Sequence, residues 1–289
     1  REEFLKVSIQ VPEDKVMDYL FESYGIDGRE KRKHMALAIE DAYKRLIQPS
    51  IEREIRNELT EKAEEQAMVV FRENLRKLLM QPPVHNCVVL GIDPAYRTGC
   101  KICVVDETGK VLATGVVYPT PPQNKTEEAK TVLKKLIEKY EVDVIAIGNG
   151  TASRETEIFV ADMLKEIDRD IKYMVVNEAG ASVYSASKLG AEEFPDFDVS
   201  LRSAVSIARR LQDPLAELVK IDPKSIGVGQ YQHDMNQKRL SETLEAVVED
   251  VVNKVGVDLN TASVSLLSYV SGINKSLAAN IVAWREKNG

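Results

Sequence analysis

The sequence has few of the residues that build disulfide frameworks, zinc sites and histidine-based catalytic sites. Its 289 residues include 3 cysteines, 3 histidines and 1 tryptophan. Three cysteines cannot form an even disulfide framework, and this count favours a reducing, cytoplasmic compartment. The histidines, His34, His85 and His233, are scattered along the chain, so the sequence indicates no Ser–His–Asp arrangement.

An excess of positive charge and long apolar runs are also missing. The chain carries 39 Lys and Arg against 46 Asp and Glu, which gives a formal net charge of −7. Any nucleic-acid contact must therefore depend on a few placed cations rather than on a basic surface. No apolar run approaches the roughly 20 residues of a transmembrane helix, and we identify no leader segment, so we expect no membrane association. With 44% hydrophobic and 29% charged residues, the composition excludes wholesale disorder.

Residues 1–86 show apolar positions three and four apart, which predicts a helical region. One stripe covers residues 30–47. A second stripe runs over residues 51–80 and predicts a connecting helix about 45 Å long. We expect Gln48 and Pro49 to separate the two helices, with Pro49 in the first turn of the second one.

Residues 87–230 change to short, β-branched apolar runs. The expected strands cover residues 88–93, 102–106, 111–118, 144–147 and 173–176. The expected helices lie near residues 129–137, 154–167, 181–189 and 201–211. The order βββαβαβα, with the second and third strands as a hairpin, predicts an α/β domain with a mixed five-stranded sheet and helices on its faces.

Residues 231–289 return to a helical pattern. A stripe of Leu and Val ends at Gly256, where we expect a left-handed backbone conformation. Asn260 or Thr261 is expected to cap a short helix, and a tight turn at residues 272–274 leads into a last helix. This arrangement predicts a helix–hairpin–helix.

Three acids stand where a strand or helix is expected to end or begin. Asp93 follows an apolar strand, Glu178 follows the last strand, and Asp213 precedes Pro214 at a helix start. Converging carboxylates of this kind suit a pair of magnesium ions that activates water. Helix capping is an equal alternative for Glu178 and Asp213, whereas the position of Asp93 behind an apolar run favours a functional role.

Two glycine-containing turns are candidate phosphate sites. Residues 148–154 connect a strand to a helix, where backbone N–H groups and Arg154 could hold a phosphate. This loop lacks the Gly-Lys-Ser/Thr ending of a Walker loop, so ATP hydrolysis has no support. In the hairpin, Gly272 precedes Lys275 and Ser276, which would add a cation and a hydroxyl to a helix N-terminus. A simple turn and a packing corner are the respective alternatives.

Cys100 and Cys103 have the spacing of a metal or redox pair. Positions three apart on a strand face opposite sides of the sheet, so the two thiols could not share one ion. No second cysteine pair or histidine cluster accompanies them in the sequence, and a zinc site would need one. We therefore interpret both cysteines as packing residues.

Four stretches resemble the Tex family of bacterial transcriptional accessory proteins. They are residues 49–56 (PSIEREIR), 92–101 (IDPAYRTGCK), 227–234 (GVGQYQHD) and 258–263 (DLNTAS). The resemblance implies a helical region, a YqgF-type RNase H-like domain and a first helix–hairpin–helix. It also implies that the chain is a central segment, preceding a second hairpin and an OB-fold RNA-binding domain.

The resemblance also implies candidate metal ligands. In the related Holliday-junction resolvase nucleases, acids on the first strand, in the central cleft and on a late helix bind the metals. By motif, Asp93, Glu178 and Asp213 fall at the corresponding places. Two departures count against catalysis: the fourth strand ends in Gly148 and Asn149 rather than in an acid, and Asp213 is held at a helix start.

The hairpin departs from the family pattern at one position. Asn274 replaces a glycine that is usual in the hairpin turn. Asparagine tolerates the left-handed conformation best after glycine, so we expect the hairpin to survive the change.

The resemblance and the residues together predict a nucleic-acid-binding transcription accessory protein. We expect contacts to the phosphate backbone of DNA or RNA, without base specificity. The expected contact residues are Arg97, Arg154, Gly272, Asn274, Lys275 and Ser276. We expect a monomer that needs no cofactor and has the transcription machinery as a further partner, with an RNase H-like domain that is not catalytic.

Two alternatives stay open. The first is a metal-dependent nuclease that uses Asp93, Glu178 and Asp213 with Mg²⁺ or Mn²⁺. The second is a protein-interaction platform in which the hairpin and the long helix bind partner proteins.

Overall fold

The computed structural model describes residues 7–26 and 33–288. The start of the helix predicted over residues 30–47 therefore lies outside the described residues. Within the described ranges, no helix has the length and apolar character needed to cross a membrane.

The chain divides into two compact units, Arg1–Ala67 and Met68–Gly289. The domain boundaries predicted near residues 86 and 230 follow the sequence pattern and stay predictions. From Met68 onwards the long helix belongs to the second unit, where the Asn74 amide donates a hydrogen bond to Val228 O at 2.8 Å.

The first unit is helical, as predicted. Its helices are α1 (Glu13–Ser23), α2 (Lys33–Ala42), a π-helical turn (Tyr43–Ile47) and the start of α3 (Gln48–Leu79). Pro49 lies in the first turn of α3, as predicted, but the chain stays helical through Gln48 and Pro49, so the predicted separation of the two helices is wrong. The wider π turn lies directly before Pro49, which lacks the N–H group needed to continue the α-helical hydrogen-bond ladder.

The second unit contains the predicted five-stranded mixed sheet. Its strands are β1 (Val89–Asp93), β2 (Cys100–Val105), β3 (Val111–Val117), β4 (Val144–Gly148) and β5 (Lys172–Val176). The order is β3-β2-β1-β4-β5, with β1, β4 and β5 parallel and the hairpin of β2 and β3 antiparallel to β1. The predicted α/β fold class and the mixed sheet with a hairpin of the second and third strands are thus confirmed.

Helices cover both faces of the sheet. α4 (Thr126–Tyr140) and α5 (Ser153–Leu164) pack on one face, and α8 (Val199–Gln212) packs on the other. Cys100 belongs to the core under α4 and α5, whereas Cys103 belongs to the core under α8. The interpretation of both cysteines as packing residues on opposite faces is confirmed.

Close contact between α8 and β1 depends on a residue without a side chain. A Cβ atom built on Gly91 would lie 2.7 Å from both Ala204 O and Ala208 Cβ. Asp198 caps the helix by accepting a hydrogen bond from Leu201 N at 2.8 Å. Glycine therefore sets how near the helix lies to the strand.

One predicted helix differs in extent. The helix predicted over residues 181–189 is divided into α6 (Ala181–Ala186) and α7 (Lys188–Glu193). Ser187 lies between them in an extended conformation and caps α7 by accepting a hydrogen bond from Gly190 N. A helix-capping serine thus interrupts a pattern that periodicity alone reads as continuous.

The C-terminal helices are α9 (Pro214–Leu218), α10 (Gln237–Val255), α11 (Val264–Leu267) and α12 (Lys275–Asn288). The last two of them form the predicted hairpin. Gly256 has a positive φ of 82°, but its ψ of 170° lies outside the left-handed helical conformation that was predicted. The predicted cap of α11 at Asn260 or Thr261 is wrong, because Ser263 caps it through its bond with Leu266 N. Asn260 instead belongs to a turn closed by Asp258.

Asn274 does not adopt the left-handed conformation that the sequence predicted. Gly272, with φ of 86°, provides the positive φ of the turn. The Asn274 carboxamide oxygen accepts a hydrogen bond from Leu277 N at 2.8 Å. The residue therefore acts as a helix cap, a role that asparagine fills better than glycine.

Candidate functional site

The carboxyl ends of β1, β4 and β5 form one edge of the sheet. These three strands are parallel, so the turns that follow them meet at the same edge. Asp93 is the last residue of β1, and Glu178 lies two residues beyond β5. The negative charge of Asp93 acts on Glu178 across this edge. The structure therefore brings these two predicted acids together.

Glu178 lies against the turn after β4. Gly150 N donates a hydrogen bond to the Glu178 carboxylate, and Cβ atoms built on Gly148 or Gly150 would overlap its oxygens. The Asn149 carboxamide oxygen accepts a hydrogen bond from Glu178 N at 3.0 Å. The glycine turn that was predicted to hold a phosphate thus holds an internal carboxylate. Glu178 is not the cap of α6, whose capping position is Gly180.

Asp93 faces α8 and β2. The Ser203 hydroxyl donates a hydrogen bond to its carboxylate, and Lys101, its cross-strand partner, attracts it electrostatically. The Lys101 ammonium itself donates to Thr98 O at 2.5 Å and Gly99 O at 3.0 Å. Asp93 is thus held by one hydroxyl and one neighbouring cation.

Burial makes both acids weaker than usual. Removal of water raises the pKa of Asp93, while Ser203 and Lys101 oppose the rise. Burial raises the pKa of Glu178 as well, and the nearby charge of Asp93 adds to the effect. Desolvation and like charge both disfavour a carboxylate, so the pair holds protons more readily than exposed acids do.

A buried arginine lies beneath the turn that carries Glu178. Arg210 of α8 is only 3% exposed, and its Nη1 donates to Asn177 O at 2.9 Å and Ala179 O at 2.8 Å. Its Nε and Nη2, and Oε2 of Glu178, are buried and make no hydrogen bond within the described part of the chain. Burial lowers the pKa of Arg210, and the charges of Glu217 and Glu178 oppose this. Arg210 thus clamps both neighbours of Glu178.

The structure places Asp213 away from the other two acids. Asp213 caps α9 by accepting a hydrogen bond from Ala216 N at 2.9 Å, as the capping alternative predicted. The preceding Gln212 amide donates to Cys87 O and Asp106 O, which lie at the amino end of β1. Asp93 lies at the opposite, carboxyl end. The convergence of Asp213 with Asp93 and Glu178 is therefore not observed.

The predicted cations Arg97 and Arg154 lie in two turns that touch. The Tyr96 hydroxyl bonds to the Glu155 carboxylate, which joins the turn after β1 to the start of α5. Both arginines are exposed next to these residues. The structure thus places two exposed cations in the segments that follow β1 and β4, at the end of the sheet where Asp93 and Glu178 lie.

The N-terminus of α12, the second helix of the hairpin, is exposed to solvent. Lys275 and Ser276 begin α12 and are exposed, and Lys275 forms no ion pair with any residue that the structure describes. Asn253 of α10 donates to Tyr269 O and accepts from Ser271 N, each at 2.9 Å. Arg285 donates to Leu259 O at 2.8 Å. Asn253 thus holds the segment that leads into the turn before Lys275, whereas Arg285 ties α12 to the segment before α11.

Comparison with known proteins identifies the family. Residues 87–212 match the family described as Tex protein YqgF-like domain, and residues 252–289 match the helix-hairpin-helix motif. The chain is 57% identical over 241 residues to "Transcriptional accessory protein Tex" of Neisseria gonorrhoeae, which covers 83% of this chain and 31% of that protein. The chain belongs to the Tex family.

Other relatives of this Tex-family chain include proteins from distant organisms. It is 62% identical over 291 residues to "Uncharacterized protein YdcI" of Bacillus subtilis, covering all of this chain and 40% of that protein. It is 48% identical over 255 residues to human "S1 RNA-binding domain-containing protein 1", covering 87% of this chain and 25% of that protein. The chain thus spans less than half the length of these relatives.

The donor set of the Tex-family cleft does not fit a two-metal centre. Among the described residues, no three His, Cys, Asp or Glu side chains are grouped as metal ligands. The α8 residue that faces Asp93 is Ser203, a neutral hydroxyl, and Glu178 is already held by Gly150 N. Magnesium pairs require several hard, anionic oxygens.

Sequence reasoning missed four residues of these sites. They are Asn149, Ser203, Arg210 and Asn253. Each acts through a partner far away in the sequence, such as Arg210 on residues 31 and 33 positions earlier. Only Asn149, beside two glycines in a turn, carries a local signal.

Proposed function

We propose that this Tex-family chain binds DNA or RNA through the phosphate backbone, without base specificity, as part of a transcription accessory protein. The carrying observation is the helix–hairpin–helix, whose second helix exposes Lys275 at its N-terminus. The names of two relatives, a transcriptional accessory protein and an S1 RNA-binding domain-containing protein, support the same function. Binding without base specificity follows from contacts that reach only phosphates.

The start of α12 suits a phosphate group. The first N–H groups of a helix have no partner inside the helix, and the helix dipole favours an anion there. Asn274 satisfies the N–H group of Leu277, which leaves those of Lys275 and Ser276 for a ligand. The ammonium of Lys275 and the hydroxyl of Ser276 add a charge and a further donor. Gly272, which has no atom within 4 Å of its built Cβ, leaves the turn open to a nucleic-acid backbone.

Arg97 and Arg154 provide a second group of phosphate contacts in this proposal. They are exposed in the segments that follow β1 and β4, and both lie beside residues that join the two turns. Binding through a small number of positioned cations is consistent with a chain whose net charge is −7. We propose a monomer that acts in the cytoplasm with the transcription machinery, and the three free, buried thiols are compatible with that reducing compartment.

The RNase H-like domain is proposed to be non-catalytic and to need no cofactor. The nuclease alternative required Asp93, Glu178 and Asp213 in one site. Asp213 caps α9 at the other end of the sheet, and a serine faces Asp93 from α8. Two acids with raised pKa values are a weak ligand set for a pair of divalent ions.

Titrations with single- and double-stranded DNA and RNA at two salt concentrations test the proposal. Each phosphate contact contributes about 0.7–0.9 to the slope of log affinity against log salt. We expect Lys275→Gln to weaken binding by a similar factor for all sequences and to reduce this slope by about one contact. Lys287→Gln, near the other end of α12, is the matched control and should leave both quantities unchanged. Equal affinities of the two variants for every nucleic acid would overturn the proposal.

A further inference from the structure

The loop before α10 carries an exposed aromatic residue in a strained backbone conformation. Tyr231 has a φ of 62°, in the left-handed region, and it is 64% exposed. No other aromatic residue in the described part of the chain has a positive φ. Residues with a side chain rarely adopt this conformation, because the Cβ atom comes too close to the backbone carbonyl oxygen. It persists only where the surrounding structure holds it in place.

Helix α3 holds the loop on the N-terminal side of Tyr231. The Asn74 amide donates a hydrogen bond to Val228 O at 2.8 Å. Gly229 lies so close to the ring of Phe71 that a Cβ atom built on it would lie 1.8 Å from a ring carbon. Two residues of α3 therefore fix the backbone directly before the strained position.

Gln232 holds the loop on the other side. Its carboxamide accepts a hydrogen bond from Gly229 N at 3.3 Å and donates one to Lys224 O at 2.9 Å. Its own carbonyl oxygen accepts a hydrogen bond from the Gln237 amide at 2.8 Å. None of these contacts involves the side chain of Tyr231. The loop therefore displays the tyrosine ring at a fixed place without using it for packing.

The surface around the ring is polar. The other apolar residues between positions 226 and 240 are all buried, namely Ile226, Val228, Met235 and Leu240. The side chains of His233 and Lys238 are 75% and 87% exposed. The loop thus offers no contiguous apolar patch of the kind that marks protein–protein interfaces. One aromatic ring beside an imidazole and an ammonium suits a ligand that has both a flat ring and a phosphate.

We infer that Tyr231 binds an unpaired nucleobase by stacking, so that this loop is a site for single-stranded DNA or RNA. An unpaired base can lie flat on an aromatic ring, whereas the bases of a duplex are already stacked on each other. Every base has a π face, so stacking agrees with binding that has no base specificity. The inference rests on the proposed function and adds the strandedness of the nucleic acid to it.

The rigid loop and its polar neighbours favour such binding. A ring that is already held in place loses little conformational entropy when a flexible strand binds. His233 lies two residues after Tyr231, and Lys238 lies in the first turn of α10. Both side chains carry N–H donors, which can bond to the phosphates next to the stacked base.

Fluorescence anisotropy titrations of oligothymidine, oligouridine and a DNA duplex of the same length test the inference. Tyr231→Asn removes the ring, and asparagine tolerates the left-handed conformation, so the loop should stay folded. We expect Tyr231→Asn to weaken binding of both single strands about five-fold or more, while duplex affinity stays within about two-fold. The slope of log affinity against log salt should not change, because no phosphate contact is lost.

Two further variants show whether the ring itself is responsible. Tyr231→Phe keeps the ring and should bind single strands within about two-fold of the wild type. Tyr19→Gln is the matched control, because Tyr19 is 69% exposed on α1 and belongs to the first unit. It should leave all affinities unchanged. Tyr231→Gly, which adopts a positive φ without strain, replaces Tyr231→Asn should that variant not fold.

Three results would overturn the inference. They are single-strand affinity of Tyr231→Asn equal to that of the wild type, an equal loss for single strands and duplex, and an equal loss in Tyr231→Phe. The first result would leave the ring to a protein partner. If Lys275→Gln weakens binding and Tyr231→Asn does not, the proposed function stands and the inference alone ends. If the wild type binds no nucleic acid, both end.

Discussion

The carboxylate of Glu178 lies directly on the backbone of Gly150. A Cβ atom built on this glycine would overlap Oε1 of Glu178, and Gly150 N donates a hydrogen bond to the same carboxylate. The Glu178 carboxylate therefore holds the turns after β4 and β5 together, and it fits there because residue 150 has no side chain. Variants of the two residues should show this dependence directly.

Gly150→Ala should destabilise the wild type by about 1–3 kcal/mol, because the new methyl group expels the carboxylate. In a Glu178→Ala background the same change should be neutral, since no carboxylate occupies the space. Urea unfolding of the four proteins measures the coupling free energy, which we expect to be about 1 kcal/mol or more. A coupling of zero would show that the two residues do not meet.

Gly91→Ala should destabilise the protein by about 1–3 kcal/mol, because its methyl group would press against Ala204 O and Ala208 Cβ of α8. Gly115→Ala is a matched control on an edge strand. There the nearest atoms are the side-chain carbons of Ile102, 3.4 Å from the built Cβ, so we expect a change within about 0.5 kcal/mol. Chemical denaturation compares the two, and equal effects would contradict the close approach of α8 and β1.

Asp93→Asn should raise the Tm at neutral pH. The folded protein raises the pKa of Asp93 and Glu178, so it binds more protons than the unfolded chain between the unfolded and folded pKa values. Stability therefore falls as the pH rises through this window, and the loss is complete above it. Asparagine cannot ionise, so the variant escapes this loss.

The gain from Asp93→Asn should shrink as the pH falls below the unfolded value of about 4. Differential scanning calorimetry across this range measures it. Asp213→Asn is the control, because asparagine still accepts the hydrogen bond from Ala216 N and should leave the Tm nearly unchanged. A gain for Asp93→Asn that is the same at all pH values would contradict the electrostatic explanation.

Asn253→Ala should weaken nucleic-acid binding without removing any group that is proposed to touch a phosphate. Its amide bridges α10 to Tyr269 O and Ser271 N, and this bridge fixes the turn before Lys275. Loss of two hydrogen bonds should cost about 1–3 kcal/mol of stability. Asn253→Asp keeps the acceptor for Ser271 N and should lose less. Unchanged nucleic-acid affinity in a destabilised Asn253→Ala protein would show that Asn253 does not position Lys275 for binding.

The sheet could be predicted from the sequence because its signals are local. β-branched runs such as residues 88–93 mark strands, and the three-residue spacing of Cys100 and Cys103 places them on opposite faces. The hairpin was predictable for the same reason, with Gly272 at a turn between two helical stripes. The capping residues were harder to predict, because Ser263 rather than Asn260 or Thr261 caps α11, and Asn274 caps α12 instead of adopting a positive φ.

The arrangement of the acids could not be predicted in this way. Asp213 and Ser203 both lie in or beside α8, and only the direction of that helix across the sheet decides which one meets Asp93. Arg210 sits on an amphipathic helix, where an arginine usually faces water, yet it is 3% exposed. Its burial depends on carbonyl groups contributed by residues 177 and 179, and no local pattern encodes such a contact.

Helix α8 is attached to both ends of strand β1. At one end Ser203 bonds to Asp93, and at the other end the Gln212 amide bonds to Cys87 O and Asp106 O. Ser203 and Gln212 are nine positions apart, which corresponds to about 13 Å along the helix. A segment anchored at both ends opens only when both anchors release. The amides of β1, β2 and α8 should therefore exchange with solvent deuterium as a single cooperative group.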